Sequence, residues 1–238
     1  NHRAPCAGCL QTAGGIVKTA LRIAVAGLGT VGAGVLKVLE THADLLEMRC
    51  GRRIVVTAVS ARTRGRDRGV DLSGVRWYED AVALASDPDV DVVVELIGGS
   101  EGVARDVVAT ALENGKHVVT ANKALLAHHG NELSALAERK GVALALEAAV
   151  AGGIPVIKGL REGLAANSIK EVHGILNGTC NYILSRMELE GLTFAECLAD
   201  AQRLGYAEAD PTADVEGHDA AAKAAILASL AFHSRVSL

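Results

Sequence analysis

The sequence has 238 residues, 50% of them apolar and 22% charged, which excludes a disordered chain and allows one large or two smaller packed domains. A net charge of -4 and a pI near 6.1 leave no basic footprint for nucleic acid, and no apolar run reaches the roughly 18 to 20 residues of a membrane span. Five scattered cysteines, Cys6, Cys9, Cys50, Cys180 and Cys197, do not make the framework of a small secreted protein, so a reducing cytoplasm is expected.

In chain order, residues 1–20 lack periodicity and read as a flexible extension. Cys6 and Cys9 form a CxxC there, with no second pair or nearby His pair to complete a zinc site. From Leu21, "LRIAVA" predicts a strand, a glycine turn follows, and "VLKVLETHADLLEM" has helical spacing through Val35, Leu36, Leu39 and Leu46. "RIVVTAVSA" predicts a second strand leading into an Arg- and Gly-rich loop. "VDVVVELIGG" predicts a third, and "VARDVVATALENG" a helix stopped at Gly115. "KHVVTAN" and "VALALEAAV" predict further strands around the helix "GNELSALAERKG". Alternating strands and helices imply right-handed crossovers and a doubly wound parallel α/β sheet of Rossmann type.

The first turn reads Gly27-Leu28-Gly29-Thr30-Val31-Gly32, a GxGxxG between a strand and a helix. In that setting Gly27 allows the tight turn, Gly29 admits a pyrophosphate, and Gly32 lets helix and sheet approach, with the helix N-terminus facing negative charge. A dinucleotide site is expected. The end of the second strand has no acid for a ribose 2′-hydroxyl, but Arg62, Arg64 and Arg66 follow it. Arginine beside a 2′-phosphate favours NADP over NAD, while the plainer reading is a set of solvated loop charges.

Open parallel sheets bind ligands beyond the C-terminal ends of their strands, where Gly98, Gly99 and Lys123 fall. A Gly-Gly turn can pass close to a nicotinamide ribose. Lys123 suits either the crevice or a helix start. Further on, "ADVEGHDAAAKAAIL" reads as a helix entered through acidic residues, with Asp219 and Lys223 one turn apart. Spacing alone makes that pair an ordinary i, i+4 ion pair.

Taken together, "AGLGTVG", "ELIGG", "GKHVVTANKALLA", "EAAVAGGIPVIKGLREGL", "GILNGTCNYILSRM" and "LGYAEADPTADVEGHDAAAKAAILASLAF" resemble homoserine dehydrogenases in order and spacing over residues 21 to about 233. The resemblance implies a flexible extension (1–20), an NAD(P)-binding Rossmann domain (21–150) and part of an α+β substrate and dimerisation domain (151–238). It implies interconversion of L-aspartate 4-semialdehyde and L-homoserine, in the route to threonine, methionine and isoleucine. Lys223 is then the proton donor and acceptor, Asp219 holds substrate or a water beside it, and Lys123 is a second active-site lysine near the nicotinamide. Glu208 binds the substrate amino group, and Gly205 lies against the cofactor. Thr179 and Asn177 adjoin the substrate, although capping explains both equally well. The family's monovalent-cation loop, suited to sodium, maps to Glu147 and the carbonyls of Val150, Gly152 and Ile154. Homodimers are the family's assembly. Relative to the family the sequence stops within the second domain, so an alternative is a catalytically incompetent NAD(P)-binding fragment. Cys180 reads as a small buried residue; His173 and His218 read as structural histidines, with lining of the cleft as the other reading for His218 beside Asp219.

Overall fold

The computed structural model describes residues 20–236 and 238. Cys6 and Cys9 of the expected CxxC lie outside those residues. Strand β1 (Leu21–Ala26) is buried on two faces: Ile23 and Val25 belong to one core cluster, Ala24 and Ala26 to another. That double burial suits the centre of a sheet covered on both sides. The chain continues through α1 (Thr30–Thr41), α2 (Ala43–Cys50), β2 (Ile54–Ser60), β3 (Arg76–Tyr78), α3 (Ala81–Ser86) and β4 (Val92–Glu95). It then forms α4 (Val103–Glu113), β5 (His117–Thr120), α5 (Lys123–Lys140) and β6 (Leu144–Ala145). The six strands of the described residues pair in parallel, in the order β3-β2-β1-β4-β5-β6. This is the doubly wound Rossmann order, and its winding reverses between β1 and β4, where a ligand crevice opens. The register sets Ser60, Ala26, Glu95 and Thr120 in one row along that edge.

Local chemistry shifts several boundaries from those the pattern predicts. The Arg- and Gly-rich loop returns to the sheet as the short edge strand β3, and Asp80 caps α3 by accepting the Val82 N–H at 2.8 Å. The helix expected through residue 48 breaks at His42, where φ is −112° and ψ is 23°. α5 starts at Lys123 rather than Gly130 because the Asn122 side chain caps it, accepting the Leu125 N–H at 3.1 Å. The expected strand "VALALEAAV" pairs only through β6. Its Glu147 opens a 3₁₀ turn to Ala149, with its carboxylate accepting the N–H groups of Ile157 (3.1 Å) and Lys158 (2.9 Å).

Beyond Val150 the described residues form helices and turns: α6 (Val156–Lys158), a π-turn (Gly159–Gly163), α7 (Gly178–Glu190), α8 (Phe194–Arg203), α9 (Thr212–Val215) and α10 (His218–Ala231). α7 and α8 enclose a small core of Ile183, Cys197, Ala201 and Ala207, and a Thr193–Glu196 capping box starts α8. α10 packs against α5, and its Ile226 and Leu227 join the core cluster of the sheet. The stretch expected as one helix through residues 213–227 is two, α9 and α10, separated by Gly217 in a left-handed conformation (φ 80°). This joint sets the start of α10, and with it Asp219, over α5.

Candidate active site

Close packing, rather than loop composition, explains two of the three glycines of the first turn. A Cβ on Gly27 (φ 103°) would lie 2.4 Å from the Leu96 oxygen, and one on Gly32 would lie 2.0 Å from the Gly27 oxygen. Both positions exclude a side chain. Gly29 differs, since a Cβ there would meet nothing within 4 Å. It opens α1 with no side-chain cap, so the first-turn N–H groups face open space beside exposed Thr30 and Val31. A groove of about 550 Å³ runs from Gly27 and Gly29 past Arg62 and Arg66 to Glu79 and Asp80.

The arginines after β2 divide into two roles. Arg68 is a clamp: its Nε donates to the Leu28 oxygen at 3.0 Å, and its other nitrogens donate to the Arg66 and Thr63 oxygens at 2.7 and 2.5 Å. Its guanidinium lies 5.5 Å from the Trp77 ring centre, with Arg64 at 6.0 Å. The loop is thereby tied to the glycine turn. Arg62 is exposed and lines the groove, where it can meet an anionic ligand.

The second cluster forms where α5 and α10 meet. Lys123, the first residue of α5, places its Nζ 2.7 Å from Asp219 Oδ1, and Lys223 places its own 2.6 Å from Oδ2. Asn177, the cap of α7, donates to the same Oδ2 at 2.9 Å and to Asp214 at 2.6 Å. Lys223 also donates to the Leu176 oxygen at 2.8 Å. Burial alone raises the Asp219 pKa, but the hydrogen bonds from Lys123, Lys223 and Asn177 outweigh it and bring the value down to about 2. One carboxylate with 8% of its side chain exposed thus anchors two ammonium groups from distant parts of the chain.

Three cavities meet at this cluster. One of about 450 Å³ reaches Thr179, Tyr182 and Tyr206, and a second of about 420 Å³ reaches Gly205 and exposed Glu208. The third, of about 270 Å³, runs from Lys123 and Lys223 to Val150 and Gly152. Thr179 donates its hydroxyl to the Tyr206 oxygen at 2.8 Å, while capping of α7 falls to Asn177. Cys180 is half-buried, its thiol donates to the Asp214 oxygen at 3.1 Å, and burial together with nearby Asp214 and Asp219 pushes its pKa up. His218 is exposed and lines the Glu208 cavity, the second of the two readings given for it, and His173 is an exposed partner of Glu171. Gly98 and Gly99 both take left-handed φ, 87° and 85°, and the Gly99 oxygen accepts from Asn122 at 2.7 Å. Asn177, Asp214 and Arg68 gain their roles from tertiary contacts that spacing does not reveal.

At the loop after β6, Ala151 (φ 51°) and Gly153 (φ 89°) curl the backbone. Among the described residues no hydrogen bond reaches the Val150 or Gly152 oxygens, whereas the Ile154 oxygen accepts the Val156 N–H at 2.8 Å. The donor set of Glu147 with Val150, Gly152 and Ile154 is all oxygen, which fits a hard cation.

Comparison with known proteins bears on both clusters. Residues 27–147 match the family model for the homoserine dehydrogenase NAD-binding domain, and residues 155–238 match that for homoserine dehydrogenase. A homoserine dehydrogenase of Pseudomonas aeruginosa is 55% identical over 212 residues, covering 89% of this chain and 48% of that protein. The crystal structure of a Thiobacillus denitrificans homoserine dehydrogenase superposes with a TM-score of 0.84 at 50% identity, over 90% of this chain and 49% of the other. A hyperthermophilic archaeal homoserine dehydrogenase in complex with NADPH gives a TM-score of 0.79 at 26% identity, over 91% of this chain and 71% of the other. The chain spans about half the length of the curated relatives it matches. With both family models matched in order across the glycine turn and the lysine–aspartate cluster, the chain belongs to the homoserine dehydrogenase family.

Proposed function

We propose that the protein interconverts L-aspartate 4-semialdehyde and L-homoserine, with NADP preferred over NAD as hydride carrier. The convergence of Lys123 and Lys223 on Asp219, beside cavities lined by Glu208 and Thr179, carries this reading. The turn at Gly27, Gly29 and Gly32 fits a pyrophosphate, and exposed Arg62 fits a 2′-phosphate. Bound there, the nicotinamide supplies or accepts the hydride. In the direction of reduction, Lys223 Nζ gives a proton to the alkoxide oxygen that forms as the aldehyde carbon gains hydride. Asp219 keeps that ammonium aimed, and Lys123 adds positive charge where the oxyanion develops. Glu208 would pair with the substrate ammonium, Thr179 would border the substrate, and Gly98, Gly99 and Gly205 would hold the cofactor.

The same reading divides the chain into a nucleotide domain over 21–150 and a substrate domain over 151–238. It assigns Glu147 and the carbonyls of Val150, Gly152 and Ile154 to a sodium-like ion that stiffens the junction, for which the free carbonyls of Val150 and Gly152 are the support. Homodimeric assembly, a cytoplasmic setting and a place in threonine, methionine and isoleucine synthesis accompany it. The test is to add L-homoserine and NADP to the purified chain and follow absorbance of the reduced nicotinamide. Reduction that needs L-homoserine and is faster with NADP than with NAD is expected, and its absence overturns the assignment.

A further inference from the structure

Glu95, the last residue of β4, has no accessible surface and no part in the proposed proton transfer. A buried carboxylate needs partners, and among the described residues these are neutral donors rather than cations. Its Oε1 accepts the N–H of Ile97 at 2.8 Å and of Gly98 at 3.2 Å, and its Oε2 accepts the Thr120 hydroxyl at 2.6 Å. Asn122 Nδ2 lies 3.5 Å from Oε1 and donates to the Gly99 oxygen at 2.7 Å. The Thr120 hydroxyl in turn accepts the Asn122 N–H at 2.9 Å, and Asn122 caps α5 immediately before Lys123. Among the described residues every hydrogen bond to the Glu95 carboxylate comes from a donor, the pattern that suits an acceptor-only group.

From this geometry we propose that Glu95 is a positioning residue, setting the Gly98–Gly99 turn and the Asn122–Lys123 helix start in register as one wall of the nicotinamide end of the site. Glu95 and Thr120 are partners in the sheet register, so the carboxylate bridges the ends of β4 and β5 where the paired glycines leave the first and α5 leaves the second. Gly98 and Gly99 both need left-handed backbone, and Glu95 holds the first through its N–H. The adenosine end depends on other residues, the Arg62 loop clamped by Arg68. The inference rests on the proposed nicotinamide cofactor and assigns its two ends to separate supports.

The test compares affinity for NADPH with affinity for 2′,5′-ADP, which keeps the adenosine end and lacks the nicotinamide. Glu95→Gln removes the charge and one acceptor oxygen, so that Thr120 no longer donates to a carboxylate, and should weaken NADPH by about tenfold, the scale of one lost charge-assisted hydrogen bond, while leaving 2′,5′-ADP within about twofold. Thr120→Val removes the bridge from the other side and should show the same split, whereas Thr120→Ser keeps the hydroxyl and should bind both ligands normally. Equal weakening of both ligands, or no change in either, for folded Glu95→Gln and Thr120→Val proteins overturns the positioning role. An unaltered chain that binds 2′,5′-ADP but not NADPH overturns the cofactor reading and the inference together.

Discussion

Asp219 faces Lys123 and Lys223 with one oxygen each, and receives a further hydrogen bond from Asn177. An exposed i, i+4 pair contributes only about 0.2 to 0.5 kcal/mol, but this carboxylate is buried and shared between helices, which makes its partners structurally necessary. The lysines differ in their surroundings: Lys223 has 20% of its side chain exposed and a second anchor at Leu176, whereas Lys123 is 43% exposed and reaches across from α5. That difference suits the more enclosed Lys223 to proton transfer and Lys123 to charge stabilisation. At the other end of the site, Arg62 makes, among the described residues, none of the carbonyl contacts that occupy Arg68. Replacing Arg62 with Ala should weaken NADP by about tenfold and NAD little, as expected for one charge-assisted contact to a phosphate. Equal weakening of both cofactors in a titration would remove the 2′-phosphate role.

Among the elements, the β1–α1 junction has the least tolerance. Gly32→Ala brings a Cβ against the Gly27 oxygen, at 2.0 Å in the unrelaxed backbone, so α1 must shift away from the turn. The variant should lose about 1 to 3 kcal/mol in urea unfolding, the usual cost of overpacking, and bind NADP less tightly. Gly29→Ala meets no protein atom and should unfold like the parent while still impairing NADP binding. Opposite outcomes would reverse the roles given to the two glycines. The same junction shows what a sequence displays well: a short apolar strand, a GxGxxG and a helix are local, so pattern and structure agree. β3 was concealed because three residues inside an Arg- and Gly-rich stretch carry no periodicity, and they join the sheet only by pairing with β2. α5 extends to Lys123 because Asn122 caps it, and Asn122 is itself held by Thr120 and Gly99. Those contacts are tertiary, so an apolar pattern does not announce them.

Across the whole molecule, the ion cluster joins the sheet's own helix α5 to α10, and the family resemblance singles out all three of Lys123, Asp219 and Lys223. Spacing linked only the last two. What the residues alone did not disclose is that Asn177 completes the cluster and that buried Glu95 organises the strand ends behind it. The acid in "VVVELIGG" is the one available signal for Glu95, a charge within an otherwise apolar strand. The cluster also has a pH signature. Folding lowers the Asp219 pKa from 3.8 to about 2, so its stabilisation is complete above the unfolded value and is lost as pH falls through the folded one. Stability in urea should drop by roughly 2 kcal/mol between about pH 5 and pH 2 from this group, and Asp219→Asn should lack that component. An unchanged acid profile in the variant would contradict the coupling.

In the proposed reaction Lys223 transfers the proton while Asp219 and Lys123 arrange the charge around it. Its most direct measurement is steady-state oxidation of L-homoserine by the protein and by Lys223→Ala, with NADPH affinity measured on both. The account predicts a fall in kcat of about two to four orders of magnitude with cofactor affinity nearly unchanged. A Lys223→Ala protein that turns over as fast as the parent would contradict it.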